Sequence, residues 1–365
     1  MKIKIFAVLL VFLYILGLCG CKKEERVNII NDLADSEYVN IYGRYYYDDV
    51  NNHLVLPNIA SGIEVRFYGT ELHAVMAKGI AIKTIQGYNT LFSVLLDGSI
   101  NTEERSFVLR SQFDEDITLV EGLNKDWHTL RILKKDASNK SLMFISSVST
   151  DGYFEKAPAK PDVKIMVYGD SITEGALMKS DVSMSLDVRN DGLSTYIMRP
   201  VLELGYDVDV FARDGAVLVC EWENEPGKSV LLNYDKICYD LKNREWDMKK
   251  FIPDVIVIYL GTNDRAACAE GNYTEADFNS AYKSFIQKLA DLYGDKVKFI
   301  LCRGAMRDFS LDDVIAEFAA GLLDVRLVEF PACVGGANSI GHPLSAEHAV
   351  YAEQMKSTLL SVLNN

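Results

Sequence analysis

The chain has 365 residues, 49% of them hydrophobic, and carries a formal net charge of −14. Its length exceeds a usual domain of about 100–200 residues, so two units are expected. The acidic balance argues against nucleic-acid binding, which needs a basic footprint, and favours neutral or weakly charged substrates.

The chain begins MKIKIFAVLLVFLYILGLCGCKKEE. Lys2 and Lys4 flank the start of an apolar run from Ile5 to Leu18 that ends in small residues, the pattern of a targeting peptide. The run is short for a membrane span, which takes about 20 apolar residues; a single N-terminal anchor helix is the alternative. Leu18-Cys19-Gly20-Cys21 resembles the lipobox of bacterial lipoproteins. That resemblance implies cleavage of residues 1–20, lipid on Cys21, and a tether over residues 21–35. The protein is then an exported lipoprotein on the periplasmic or cell-surface side of the outer membrane. Lys22-Lys23-Glu24-Glu25 also resembles a surface-export signal. Cleavage removes Lys2 and Lys4 and no acid, so the charge becomes −16. Beyond Cys21 the cysteines are Cys220, Cys238, Cys268, Cys302 and Cys333, with no CxxC or zinc-like spacing. They are expected to be mostly buried thiols, with room for one bridge.

Residues 36–155 read as mostly β. Ile63, Val65 and Phe67 alternate with Glu64, Arg66 and Tyr68, as in a half-buried strand. Leu91 to Leu96 runs into Asp97-Gly98, a turn signal. Phe107 to Leu109, Ile117 to Val120, His128 to Leu133 and Leu142 to Val148 continue the series. Short strands punctuated by turns predict a β-sandwich, or jelly roll. Residues 156–162, which include Lys156-Ala157-Pro158-Ala159-Lys160-Pro161, read as a linker.

From 163 to 365 the period changes. Apolar strands are predicted at 163–168, 206–211, 254–260, 297–302 and 325–330, with helices between several of them. One helix starts at Thr274, whose sequence context suits an N-cap. Phe278, Tyr282, Phe285, Leu289 and Leu292 mark one face of it. Another begins at Ser345 and runs towards Val362. This alternation predicts an α/β fold, a three-layer α/β/α domain with a mainly parallel sheet. Ligands of such sheets sit at the carboxyl ends of the strands. Four loops expected at that edge carry Ser171, Gly215, Asn263 and His342.

Gly169-Asp170-Ser171, Gly215, Gly261-Thr262-Asn263-Asp264 and His342-Pro343 resemble, in order, four blocks of the SGNH (GDSL-type) hydrolases. With the β-rich unit ahead of them, the chain is similar to carbohydrate esterase family 2. The resemblance implies a serine esterase that removes acetyl groups from plant-cell-wall polysaccharides such as xylan and glucomannan. It implies Ser171 as nucleophile, His342 as base, and an oxyanion hole formed by Ser171 N–H, Gly215 N–H and the Asn263 amide. No metal or organic cofactor is required. The substrate is an acetylated poly- or oligosaccharide, and the membrane is met only through the lipid.

The family usually carries an acid two or three positions before the histidine, where this chain has Ile340 and Ser339. A Ser–His dyad is therefore expected, with Asp324, Glu329 and Glu347 the nearby carboxylates. Asp170 is expected to support the strand–turn–helix backbone. Trp222, Asp264 and Arg265 are candidates for the substrate cleft, the last two also for loop scaffolding. His348 is expected to pack or cap; His53, His73 and His128 lack metal-like spacing. A lipase, thioesterase or peptidoglycan O-acetylesterase with the same loops is the enzymatic alternative. A non-catalytic glycan-binding protein is the other.

Overall fold

The computed structural model describes residues 26–79, 88–179, 181, 183–219, 227–241, 243–268, 273–319, 321, 323–334 and 341–364. Two antiparallel sheets come first. One runs Tyr46–Asp48, His53–Leu56, Leu142–Thr150, Leu72–Gly79, Glu115–Val120, with Ile29–Ile30 paired to Leu142–Thr150. The other runs Tyr153–Glu155, Gly62–Gly69, Asp126–Lys134, Thr90–Leu96, Ser106–Leu109, with Val39–Tyr42 paired to Gly62–Gly69. Ile63, Val65 and Phe67 face Leu54, Leu72 and Met143 in the core between these sheets. This is the β-sandwich that the alternating residues predict.

Two expectations need correction here. Ile29–Ile30 lies in the stretch expected as tether, yet Ile30 is buried and Phe154 N donates to Val27 O at 2.7 Å. The sandwich therefore begins before residue 36, because Ile30 and Leu33 supply apolar surface to its core. Glu64, expected on the solvent face, is buried, where Arg131 Nη2 and Tyr42 Oη donate to it at 2.8 and 3.0 Å.

The second unit is built on a parallel sheet ordered Asp207–Ala212, Lys164–Gly169, Val255–Tyr259, Lys298–Gly304, Val325–Phe330. Successive residues of the Lys164–Gly169 strand serve opposite layers. Ile165 and Val167 join a core with Met355 and Leu359 of the terminal helix Ser345–Leu363, whereas Met166 and Tyr168 join one with Phe278, Tyr282 and Phe285 of the helix Glu275–Tyr293. That division is the α/β/α layering the sequence predicts. The helix Glu275–Tyr293 opens on a capping box in which Thr274 accepts from Asp277 N and Asp277 from Thr274 N. Leu292, expected on its buried face, is 38% exposed; Ile286 and Ala290 fill the stripe near that end.

The two units share buried contacts. Ile59, Ala60, Leu95, Leu133 and Ala137 of the sandwich belong to the same core as Ile165 and Val167. Arg44, fully buried, binds Asp209 at 2.9 Å and donates to Tyr234 O and Lys236 O at 2.7 and 2.5 Å. The residues between the units are also tied down: Ala157 N donates to Glu37 O and Asn40 Nδ2 to Pro158 O, at 3.1 and 2.7 Å. Among the described residues no helix is long and apolar enough to cross a membrane. The expected signal peptide and Cys21 lie outside the described residues. Cys238, Cys302 and Cys333 are free thiols, the first two fully buried; Cys220 lies outside.

Candidate active site

The strand order places the chemistry. Lys164–Gly169 lies between Asp207–Ala212 and Val255–Tyr259, so the loops after these three strands are neighbours at one edge. Those loops carry Ser171, Gly215 and Asn263. After Lys164–Gly169 the chain adds Asp207–Ala212 on one side and then Val255–Tyr259 on the other. This switch in strand order opens the crevice where ligands of such folds bind.

Ser171 begins a single helical turn, Ser171–Glu174. Asp170 caps it, Oδ1 accepting from Ile172 N at 2.9 Å. Gly169 is needed before it, because a Cβ there would sit 2.0 Å from Thr173 Oγ1. Thr173 is itself fixed 3.0 Å from Tyr196 Oη. The Asp170 carboxyl is fully buried, and burial pushes its pKa up to about 8.

His342 reaches Ser171 from the opposite end of the chain. Its Nε2 lies 2.8 Å from Ser171 Oγ, within hydrogen-bond range of a nucleophile–base pair. The segment is anchored on both sides. Ser345 N donates to Met178 O at 3.1 Å, just beyond the nucleophile turn, and Arg199 Nη2 donates to Ser345 Oγ at 3.1 Å. Glu347 accepts from Leu344 N and Val334 N at 2.9 and 2.6 Å. Asp324 pairs with Arg326, and Glu329 accepts from Arg303 Nε at 2.6 Å. All three carboxylates considered for steadying His342 thus have other partners. Ser339 and Ile340 lie outside the described residues.

Gly215 has φ 72°, a left-handed conformation that suits glycine. A Cβ there would also meet Lys228 Nζ at 2.5 Å. Asn263 Nδ2 donates to Ala216 O at 3.0 Å, joining two of the loops. An amide nitrogen carries two hydrogens, so this contact occupies one of them.

Asp264 does not line a cleft. It is buried, and its carboxylate accepts from Leu218 N at 3.0 and 2.9 Å and from Val219 N at 2.9 Å. It anchors the loop that follows Gly215. Arg265 is exposed but donates to Asp308 O at 2.6 Å, tying its helix to the turn after Lys298–Gly304. Trp222 lies outside the described residues. His348 is buried, accepts from Tyr196 N at 3.2 Å through Nδ1, and burial lowers its pKa to about 3. It is a packing residue beside the site.

Sequence reading missed a group at the rear of the site. Glu174 closes the nucleophile turn and accepts from Asp214 N at 2.5 Å. Lys140, from the sandwich, lies 3.4 Å from Glu174 Oε1 and 3.8 Å from Asp214 Oδ2. Glu174 was visible inside the Gly169 to Gly175 stretch; nothing local to Lys140 announces its partner.

No family model matches the chain. It is 28% identical over 349 residues to the cellulase/esterase CelE of Acetivibrio thermocellus, which covers 88% of this chain and 39% of that protein. The chain therefore spans well under half the length of that relative. It is 21% identical to an acetylxylan esterase/glucomannan deacetylase of Cellvibrio japonicus, with 100% of both chains covered. A family two carbohydrate esterase from Clostridium thermocellum, solved in complex with cellohexaose, superposes with a TM-score of 0.74 at 23% identity, covering 89% of this chain and 99% of that one. The chain shares with the family two carbohydrate esterases their architecture, a jelly-roll-like sandwich followed by an SGNH-type α/β/α unit.

Proposed function

We propose that this protein is a serine esterase that removes O-acetyl groups from plant-cell-wall polysaccharides through a Ser171–His342 dyad. The observation that carries the reading is the 2.8 Å contact between His342 Nε2 and Ser171 Oγ at the carboxyl end of the strand Lys164–Gly169. The similarity to an acetylxylan esterase/glucomannan deacetylase over the full length of both chains supports the substrate class.

Ser171 Oγ attacks the acetyl carbonyl carbon as its proton passes to His342 Nε2. The C=O electron pair moves onto oxygen, forming a tetrahedral oxyanion. Ser171 N–H, Gly215 N–H and the second hydrogen of Asn263 Nδ2 stabilise that charge; one such donor is worth about 3 kcal/mol. Collapse of the intermediate breaks the bond to the sugar oxygen, which takes the proton from His342 and leaves acetyl-Ser171. Water, deprotonated by His342, repeats the sequence and releases acetate. An imidazole suits both transfers because its ordinary pKa lies near neutrality.

The test is acetate release from acetylated xylan and acetylated glucomannan, beside hydrolysis of a long-chain 4-nitrophenyl ester. Release from the polysaccharides with little long-chain hydrolysis is the expected result. Long-chain hydrolysis without acetate release would place the protein with the lipases instead. Polysaccharide binding without hydrolysis would make it a non-catalytic glycan-binding protein.

A further inference from the structure

We infer that Lys140, a residue of the β-sandwich, is a positioning residue for the oxyanion loop of the hydrolase unit. The inference rests on the esterase reading above and adds a part for the accessory unit in it. Lys140 lies between the strands Asp126–Lys134 and Leu142–Thr150, and it is only 5% exposed. Its ammonium stands 3.4 Å from Glu174 Oε1, 3.8 Å from Asp214 Oδ2 and 5.1 Å from the centre of the Tyr88 ring. Burial alone would depress its pKa, but Glu174 and Asp214 hold it above the ordinary lysine value, so the ammonium stays charged.

The two carboxylates belong to the two loops that the proposed reaction must keep in register. Glu174 is the last residue of the turn that begins at Ser171, and Asp214 immediately precedes Gly215. Glu174 is completely buried and also accepts from Asp214 N at 2.5 Å. A buried carboxylate without a counter-charge is costly and relaxes by protonating or by drawing in water. Either response weakens its hold on Asp214 N, and with it the aim of Gly215 N–H. Burial raises the Glu174 pKa, Lys140 opposes that rise, and the same ammonium pulls Asp214 towards the same point. The contact is thus a brace from the sandwich to the rear of the oxyanion hole.

Lys140→Met keeps the stem and removes the charge. Misplacing a reacting group by about 1 Å can cost about 100-fold, so kcat on 4-nitrophenyl acetate should fall about 10- to 100-fold with KM within about twofold. Lys140→Arg should restore most of the loss. Glu174→Gln removes the charge that Lys140 balances while keeping an acceptor for Asp214 N. In that background Lys140→Met should cost less than about threefold, a non-additivity expected of coupled groups. Amide hydrogen exchange of a peptide covering residues 211–219 should rise in Lys140→Met while the strand 164–169 stays protected. Wild-type kcat and wild-type exchange in Lys140→Met would overturn the inference. So would a loss accompanied by faster exchange throughout both units, since that reports a general interface contact. Should the wild-type protein release no acetate, the esterase reading fails, and the exchange comparison still decides whether Lys140 holds the Gly215 loop. If Lys140→Met does not fold, Lys140→Gln, made alone and in the Glu174→Gln background, gives the same comparison.

Discussion

Asp264 offers a sharp separation between holding a loop and lining a cleft. Its carboxylate accepts from Leu218 N at 3.0 and 2.9 Å and from Val219 N at 2.9 Å, all in a buried setting. Asp264→Ala leaves both amides without that acceptor. Hydrogen bonds to charged groups contribute about 1.5–3 kcal/mol each, so the loop's anchored form should lose about 3–6 kcal/mol of support. Gly215 lies three residues before Leu218, so a loosened loop carries away an oxyanion donor. Loss of one donor corresponds to about 100-fold or more in kcat. Steady-state kinetics on 4-nitrophenyl acetate should therefore show kcat reduced about 100-fold and KM changed by less than about threefold. Asp264→Asn should not rescue fully, because its NH2 group would face one of the donors. A raised KM with unchanged kcat would mean that Asp264 meets substrate instead. Wild-type kinetics would refute the anchoring account outright.

Three further outcomes are expected. Arg44→Met leaves Asp209 as an unpaired buried charge, a change that costs about 3–5 kcal/mol; urea unfolding should show it, and the Arg44→Met/Asp209→Leu double variant should recover most of it. Asp170, with its carboxyl raised to about 8 by burial, holds a proton in the folded state over a range where the unfolded chain has released it. Stability should thus decline as pH rises from about 4 through about 8, and Asp170→Asn, which keeps an acceptor for Ile172 N, should flatten that decline in thermal melts recorded across the range. Growth with a clickable fatty acid should label the full-length protein, and Cys21→Ala should abolish the label; equal labelling would refute lipid attachment at that thiol.

The parts of the fold legible in sequence were those fixed by short-range periodicity. Ile63, Val65 and Phe67 on one face of their strand, or Thr274 with Asp277, follow from spacings of two and three residues, which one segment displays alone. The site was legible in a different way: Ser171, Gly215 and Asn263 each follow a recognisable strand, and sheet topology brings such ends together. What escaped notice depends on contacts between distant segments. Arg44 and Asp209, or Lys140 and Glu174, are ordinary charged residues in their own surroundings and become buried pairs only when the sandwich docks. Asp264 looks like a polar cleft residue for the same reason, since the amides it satisfies lie 46 and 45 residues away. Leu292 shows the reverse error: it continues a helical stripe past the point where the neighbouring layer ends.

The central claim is that Ser171 carries the acetyl group. Rapid-quench mass spectrometry of the protein mixed with 4-nitrophenyl acetate tests it directly. The account predicts a transient acetyl on the peptide containing Ser171, formed in a burst, and its absence from Ser171→Ala together with acetate release. Undiminished release by Ser171→Ala, or an acetyl on another residue that turns over at the steady-state rate, would contradict it.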